Sequence, residues 1–247
     1  MKKPSKRRHP KCQKIFIAGT DTGVGKTFLT ALLYLHLEKR GYKCRAVKPV
    51  SCGTRADARL LSTVQSRRFG LDEIDPFHFE IPTAPFIAAK KEGRKIQFKK
   101  VVDWVERVSV KQDYLLIEGC GGFQTPITQK KANWNLAKES DSKIILITKN
   151  RLGCLNQVIA FTRLAKFLSV PVSGVVLTGV SGVKSDQSRR TNGRVLRLLL
   201  PDIPICEMPY LSRISPSKMG FEAVEKKVKK MLAVFLEAGH CAPVFRS

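Results

Sequence analysis

The chain has 247 residues, 43% of them hydrophobic, which suits one domain with a full core. Lysine and arginine number 45 against 20 aspartate and glutamate, a net charge of +25; the cations are spread along the chain without interleaved RNA-binding aromatics, so they read as a solvated basic surface and not as a specific nucleic-acid site. The seven cysteines (Cys12, Cys44, Cys52, Cys120, Cys154, Cys206, Cys241) are scattered and form no C-x-x-C pair, which argues against a disulfide framework or zinc site and for a reducing cytoplasm.

Residues 1–13 are strongly basic and read as a disordered tail, with no signal-peptide core after them. No apolar run approaches the roughly 20 residues of a membrane span, so no membrane partner is expected. KIFIAG (14–19) reads as a buried strand, and residues 25–40 as a helix stopped by Gly41. CRAVKPV (44–50) reads as a second strand and residues 56–65 as a short helix. Residues 70–98, rich in Pro, Phe and Gly, read as a long irregular functional loop. A helix is expected over 99–110, strands over 113–119, 142–148 and 171–179, and helices over 153–168, 186–200 and 221–238. This alternation predicts a three-layer α/β fold with a mainly parallel sheet, helices on both faces, and one domain over residues 14–240. In such folds ligands bind at the carboxyl ends of the strands.

IAGTDTGVGKT (17–27) joins the first strand to the first helix and ends in the GK[ST] tail of a phosphate-binding loop. The usual pattern places glycine at position 20; this chain has Thr20 there, with Gly19 one place early. Backbone N–H groups of Gly23, Val24, Gly25, Lys26 and Thr27 are expected to face phosphate oxygens, with Lys26 reaching the terminal phosphates and the Thr27 hydroxyl ligating magnesium. Glu118, at the carboxyl end of an apolar strand, is the expected magnesium carboxylate, and Asp57 is a second candidate. Lys48, at the end of the second strand, can stabilise charge on a transferring group.

Five segments, GTDTGVGKT, KPVSCGT, PFHFEIPTAPFIAAKKEG, EGCGGFQTPI and RLGCLN, together resemble the dethiobiotin synthetases of biotin biosynthesis, over residues 14 to about 210. The family's loop reads G-T-D-T-x-V-G-K-T, so the early glycine is its own spelling. The resemblance implies a P-loop NTPase-like fold and an ATP- and magnesium-dependent cyclo-ligase. It would carboxylate 7,8-diaminononanoate with carbon dioxide or bicarbonate, through a carbamate and a carbamic-phosphoric anhydride, to give dethiobiotin. It further implies a homodimer. Residue by residue, it places Lys26 and Lys48 as catalytic, and Thr27, Asp57 and Glu118 as magnesium ligands. Nucleotide contacts are implied for Gly23 to Phe28, for Asp57, for Glu118, Gly119, Cys120 and Gly121, and for Thr178, Gly179 and Pro209. Substrate contacts are implied for Thr22, Lys48 and Cys52, and for Gly153, Cys154, Leu155 and Asn156, the last four from the neighbouring subunit.

Three positions depart from the family: Cys52 replaces a Ser or Thr, Phe86 a common His, and Thr178 the Asn that reads adenine. The alternative is a P-loop ATPase of the partitioning or membrane-cycling type, acting as a nucleotide switch on an anionic surface. That class needs a second lysine early in the loop, where this chain carries Asp21. A cobyrinate-type amide synthetase would need a glutaminase segment; the late pair His240-Cys241 has no domain around it.

Overall fold

The computed structural model describes residues 11–179 and 187–208. In chain order the elements are β1 (Gln13–Gly19), α1 (Lys26–Lys39), β2 (Cys44–Val47), β3 (Val50–Cys52), α2 (Ala56–Val64), α3 (Leu71–Ile74), β4 (Phe77–Phe79), α4 (Pro85–Lys91) and α5 (Phe98–Ser109). There follow β5 (Tyr114–Gly122), α6 (Asn133–Glu139), β6 (Lys143–Lys149), α7 (Cys154–Phe167), β7 (Val172–Thr178), α8 (Ser188–Leu199) and β8 (Ile205–Met208).

Six strands form one sheet in the order β2-β5-β1-β6-β7-β8, with every pairing parallel. The strands are apolar along their length because both faces are covered. Phe16, Leu115, Ile117, Leu146 and Val175 pack on one face with α4 to α8, through residues such as Val105, Leu136, Phe161 and Leu196. Ile17, Ala46, Leu116, Ile147 and Val176 pack on the other with α1 and α2, through Leu29, Leu33, Ala58 and Leu61. On α5 the buried residues Val101, Trp104, Val105 and Val108 recur at helical spacing and form a single stripe. The fold is that of a P-loop NTPase, with β1 central and its carboxyl end feeding α1.

Three expectations change. The strand read over 44–50 divides: β2 ends at Val47, because Pro49 has no N–H to continue a ladder, and the Lys48 amide donates to the Ile74 carbonyl at 2.9 Å. β3 then pairs in parallel with β4 in a separate two-stranded sheet, Val50 opposite Phe77 and Cys52 opposite Phe79. Residues 70–98 are accordingly not an irregular loop but carry α3, β4 and α4, elements of four, three and seven residues whose pairing is tertiary and too short to leave a periodic signal. The first strand begins at Gln13, inside the expected tail, and residues 1–10, 180–186 and 209–247, with the expected helix 221–238 and Pro209, lie outside the described residues. α6 and β8 were not expected from the sequence. Among the described residues no helix is long and apolar enough to cross a membrane.

Candidate active site

Residues 20–25 turn from β1 into α1, and the turn explains its own spelling. Gly23 (φ 63°) and Gly25 (φ 103°) hold left-handed backbone that glycine adopts without strain. At Gly19 the constraint is space. A Cβ there would lie 2.9 Å from the Asp21 carbonyl oxygen, 2.9 Å from Val24 Cγ2 and 3.0 Å from Lys26 Nζ. The loop folds back over Gly19, and Lys26 Nζ donates to the Asp21 carbonyl at 2.9 Å. Thr20 has room for a side chain and uses it: its Oγ1 lies 2.8 Å from Thr148 Oγ1 at the end of β6, while its amide donates to the Ile147 carbonyl at 3.1 Å. The glycine therefore belongs at 19. Burial, then the neighbouring Lys48 charge, lowers the Lys26 pKa. The Asp21 carboxylate accepts from the Thr22 amide at 2.7 Å, so the position where a partitioning ATPase needs a cation holds a locally bonded acid.

Side chains alternate along a strand, so Leu116 and Glu118 share the face of β5 that looks towards α1 and α2. Ala46 and Lys48 lie on the same side at the end of β2. Four polar side chains thus converge. Lys48 Nζ donates to Glu118 Oε1 at 2.7 Å and lies 2.8 Å from Asp57 Oδ2. Thr27 Oγ1 is 2.8 Å from Asp57 Oδ1 and 2.9 Å from Glu118 Oε1, its single proton shared between them. Glu118 is 1% exposed and Lys48 is 6% exposed.

Burial works against the charge on Lys48, but Glu118 and then Asp57 outweigh it and hold the ammonium's pKa above its ordinary value. Burial would raise the Asp57 pKa, but Lys48 and the Thr27 hydrogen bond bring it below the usual carboxylate value. For Glu118, burial pushes the pKa up against the pull of Lys48. Glu118 Oε2 is buried with no hydrogen-bond partner, a vacant acceptor of the kind a cation would satisfy. The donor set, two carboxylates and a hydroxyl beside a phosphate loop, fits magnesium, which takes one or two carboxylates and completes its shell with phosphate and water. Among the described residues no group of three or more His, Cys, Asp or Glu side chains gathers to make an all-protein cage.

The other expected residues fall around this centre in different ways. Thr178 is buried beneath the loop, its Oγ1 3.2 Å from the Val24 carbonyl and 3.1 Å from the Thr148 carbonyl. The Gly179 amide donates to the Met208 carbonyl at 2.8 Å. Phe28 is half-buried against the α1-side core. Gly119 packs against Phe16, where a Cβ would come within 2.8 Å of the ring, and Cys120 directs its thiol to Asn133 Oδ1 at 3.7 Å. Gly121 takes a left-handed φ of 62°. Cys52 is half-buried on β3, and burial pushes its thiol up to about 12, which keeps it neutral. Thr22 and Gly23 are exposed on the loop. Gly153 (φ 89°) caps the start of α7, away from any Cβ contact; Gly153 and Asn156 are exposed, Leu155 is half-buried and Cys154 is buried.

Sequence reasoning missed Ser51, Arg55, Asp75 and His78. Asp75 Oδ2 accepts from Ser51 Oγ at 2.6 Å and pairs with Arg55 Nε at 3.4 Å, while Arg55 also donates to the Asp75 carbonyl at 2.8 Å. Ser51 Oγ lies 2.9 Å from His78 Nδ1. This network anchors the segment between Lys48 and Asp57, the two residues that must meet at the site. The only sequence signal is an acid between Ile74 and Phe77 that ought to be buried.

Gly19→Ala is expected to abolish nucleotide binding, because the obstructing atoms include backbone and the clamp lysine. Thr20→Ala should lose one hydrogen bond, about 1 kcal/mol of stability, and keep nucleotide binding within roughly threefold. Titration of each variant with a fluorescent ATP analogue checks both.

A family model described as AAA domain matches residues 13–217. The chain is 36% identical over 186 residues to the ATP-dependent dethiobiotin synthetase BioD of Aquifex aeolicus, covering 74% of this chain and 83% of that protein. It is 30% identical to the corresponding protein of Thermodesulfovibrio yellowstonii, covering 85% and 94%. Among solved structures it is similar to the MinC:MinD cell division complex of Aquifex aeolicus (TM-score 0.59, 18% identity, 95% and 99% covered). It is likewise similar to a plasmid partition protein of Borrelia burgdorferi bound to AMPPNP (TM-score 0.61, 14% identity, 92% and 99% covered). At those identities the solved structures establish the fold alone, and the partitioning alternative is not favoured. The sequence relatives, the family match and the loop built on Gly19 agree: the chain belongs to the ATP-dependent dethiobiotin synthetase family of ligases.

Proposed function

We propose that the chain closes the ureido ring of dethiobiotin from 7,8-diaminononanoate, carbon dioxide and ATP. The observation that carries this reading is the meeting of buried Lys48 and Glu118 with the half-exposed Asp57, joined to the phosphate loop through Thr27. Magnesium held by Thr27, Asp57 and Glu118 would neutralise phosphate charge. The remaining chemistry belongs to the chain's own side chains and to the substrate.

One amine of the substrate captures carbon dioxide as a carbamate. A carbamate oxygen attacks the γ-phosphorus as ADP leaves, and the second amine then attacks the carbonyl carbon and expels phosphate. Lys48 contributes a positive charge beside the carbamate and the transferring phosphoryl group, where negative charge is redistributed. Lys26 and the loop amides hold the phosphates in line. Thr22, at the exposed lip of the loop, and the neutral thiol of Cys52 line the diamine's approach. The exposed start of α7, with Gly153 and Asn156, presents N–H groups suited to the distal carboxylate of a substrate bridging two subunits. That reading makes the working unit a homodimer. No specific nucleic acid is a partner in it, and the seven cysteines suit a reducing cytoplasm.

Incubation with diaminononanoate, bicarbonate, magnesium and ATP, with dethiobiotin detected by mass spectrometry, tests the reading; absence of product from folded protein would overturn it. Lys48→Ala and Lys26→Ala should each lower turnover about 10²–10³-fold, Lys26→Ala also weakening nucleotide binding. Near-normal turnover in Lys48→Ala would remove its assigned role.

The base end of the nucleotide behaves differently. An Asn amide offers a donor and an acceptor at fixed spacing, whereas the Thr178 hydroxyl is one oxygen, already turned inward to the Val24 and Thr148 carbonyls. Losing one or two neutral hydrogen bonds at a base edge costs about 1 kcal/mol each, so GTP and CTP are expected to serve within roughly tenfold of ATP in kcat/KM. Thr178→Asn should sharpen the preference for ATP. A hundredfold or greater preference in the unaltered chain, by the same steady-state comparison, would contradict this.

A further inference from the structure

We infer that Lys48 fills the acid pair as an internal cation and thereby sets how tightly the chain takes a divalent ion, the two exchanging places as the site loads. This rests on the reading of Thr27, Asp57 and Glu118 as the metal-holding group. The observation is positional. Lys48 Nζ is at contact distance from one oxygen of each carboxylate, 2.7 Å from Glu118 Oε1 and 2.8 Å from Asp57 Oδ2. Thr27 Oγ1, the third expected ligand, touches that same Glu118 oxygen at 2.9 Å and the other Asp57 oxygen at 2.8 Å. The ammonium therefore sits among the oxygens a divalent ion would use.

Two cations cannot both hold these oxygens closely. Magnesium draws its oxygens to about 2.0–2.1 Å, and unscreened like charges a few ångströms apart in a buried site repel strongly. Of the four carboxylate oxygens of Asp57 and Glu118, three meet Lys48 or Thr27, and Glu118 Oε2 is left without a partner among the described residues. Without nucleotide, Lys48 offsets one of the two negative charges, and Lys26, whose charge is felt at the same site, offsets more. A divalent ion entering alone must displace Lys48, whose side chain is buried at 8% exposure and contacts both carboxylates. A bound triphosphate changes that balance. Its terminal phosphate supplies negative charge near the loop, to which a long lysine side chain can swing. Lys48 is thus an affinity-determining residue: it keeps the acid pair paired and folded when empty, and it makes divalent binding depend on nucleotide. The same exchange would deliver its charge to the phosphoryl group only in the loaded site.

The test is Mn²⁺ titration of the nucleotide-free full-length chain, read by electron paramagnetic resonance. Lys48→Met, which keeps the length of the side chain, should bind Mn²⁺ about tenfold more tightly than the unaltered chain, since the ion no longer displaces a cation from its ligands. The extra tightening produced by the non-hydrolysable triphosphate AMPPNP should shrink by a similar factor of about ten, because coupling is reciprocal. Glu118→Gln should weaken Mn²⁺ binding in either background. Tightening of less than about threefold in Lys48→Met, with Glu118→Gln still weakening, overturns the exchange and leaves the metal reading intact. Unchanged binding in Glu118→Gln removes the metal reading itself.

Should Lys48→Met fail to fold, the unaltered chain answers alone. Acetylation of the Lys48 amine, followed by peptide mass spectrometry, should rise several-fold when Mn²⁺ alone is added to saturation, because the displaced amine leaves its carboxylates with no phosphate to pair with. Labelling that stays level while the metal binds overturns the inference.

Discussion

A buried carboxylate at the end of a parallel strand is the constraint on which the rest of this site depends. Glu118 is 1% exposed, and an unpaired charge at such a depth would cost several kcal/mol. The fold answers with a lysine just past the end of the neighbouring edge strand and a hydroxyl from the first turn of α1. Those partners come from segments 70 and 91 residues away in the chain, and only the order β2-β5-β1 brings them together. The strand that buries Glu118 is therefore also what gathers Lys48, Asp57 and Thr27 around it.

The phosphate loop follows from the same sheet. β1 lies between β5 and β6, so the turn leaving it is flanked by Glu118 on one side and Thr148 on the other. Gly19 lets the turn fold tightly enough for Lys26 to bond the loop's own backbone, and Thr20 and Thr178 tie it to the ends of β6 and β7. The loop is held at three points before any ligand binds, which is the kind of preorganisation phosphoryl chemistry needs. Behind it, the Asp75 network steadies the stretch from Lys48 to Asp57, so these two residues rest on packed elements and not on a free loop.

Much of this was legible in the sequence, for identifiable reasons. Strands buried on both faces read as unbroken apolar runs, and a glutamate ending one of them stands out because burial of a charge demands an explanation. The loop was legible from GKT in a strand-to-helix context. Lys48 was not distinguishable on its own, since one lysine among 45 basic residues carries no mark of burial. Its position depends on Pro49 breaking β2 and on the bond from its amide to Ile74, both tertiary outcomes. The small β3–β4 sheet and the Asp75 cluster were illegible because three-residue strands have no period, and because Ser51, Arg55 and His78 meet only once those strands pair. Thr178 was visible as a departure, yet its inward hydrogen bonds to Val24 and Thr148 emerge only from the packing of β7 against the loop.

The central claim, that Lys48 and Glu118 form one energetically coupled buried unit, is tested most directly by a double-mutant cycle on unfolding free energy without metal or nucleotide. Lys48→Met and Glu118→Gln should each destabilise the chain by about 3 kcal/mol, because each leaves a buried charge short of a partner. The double variant should lose much less than the sum, giving a coupling of roughly 2 kcal/mol or more. Losses that add to within about 0.5 kcal/mol would show that the two side chains do not hold one another, and would contradict the account.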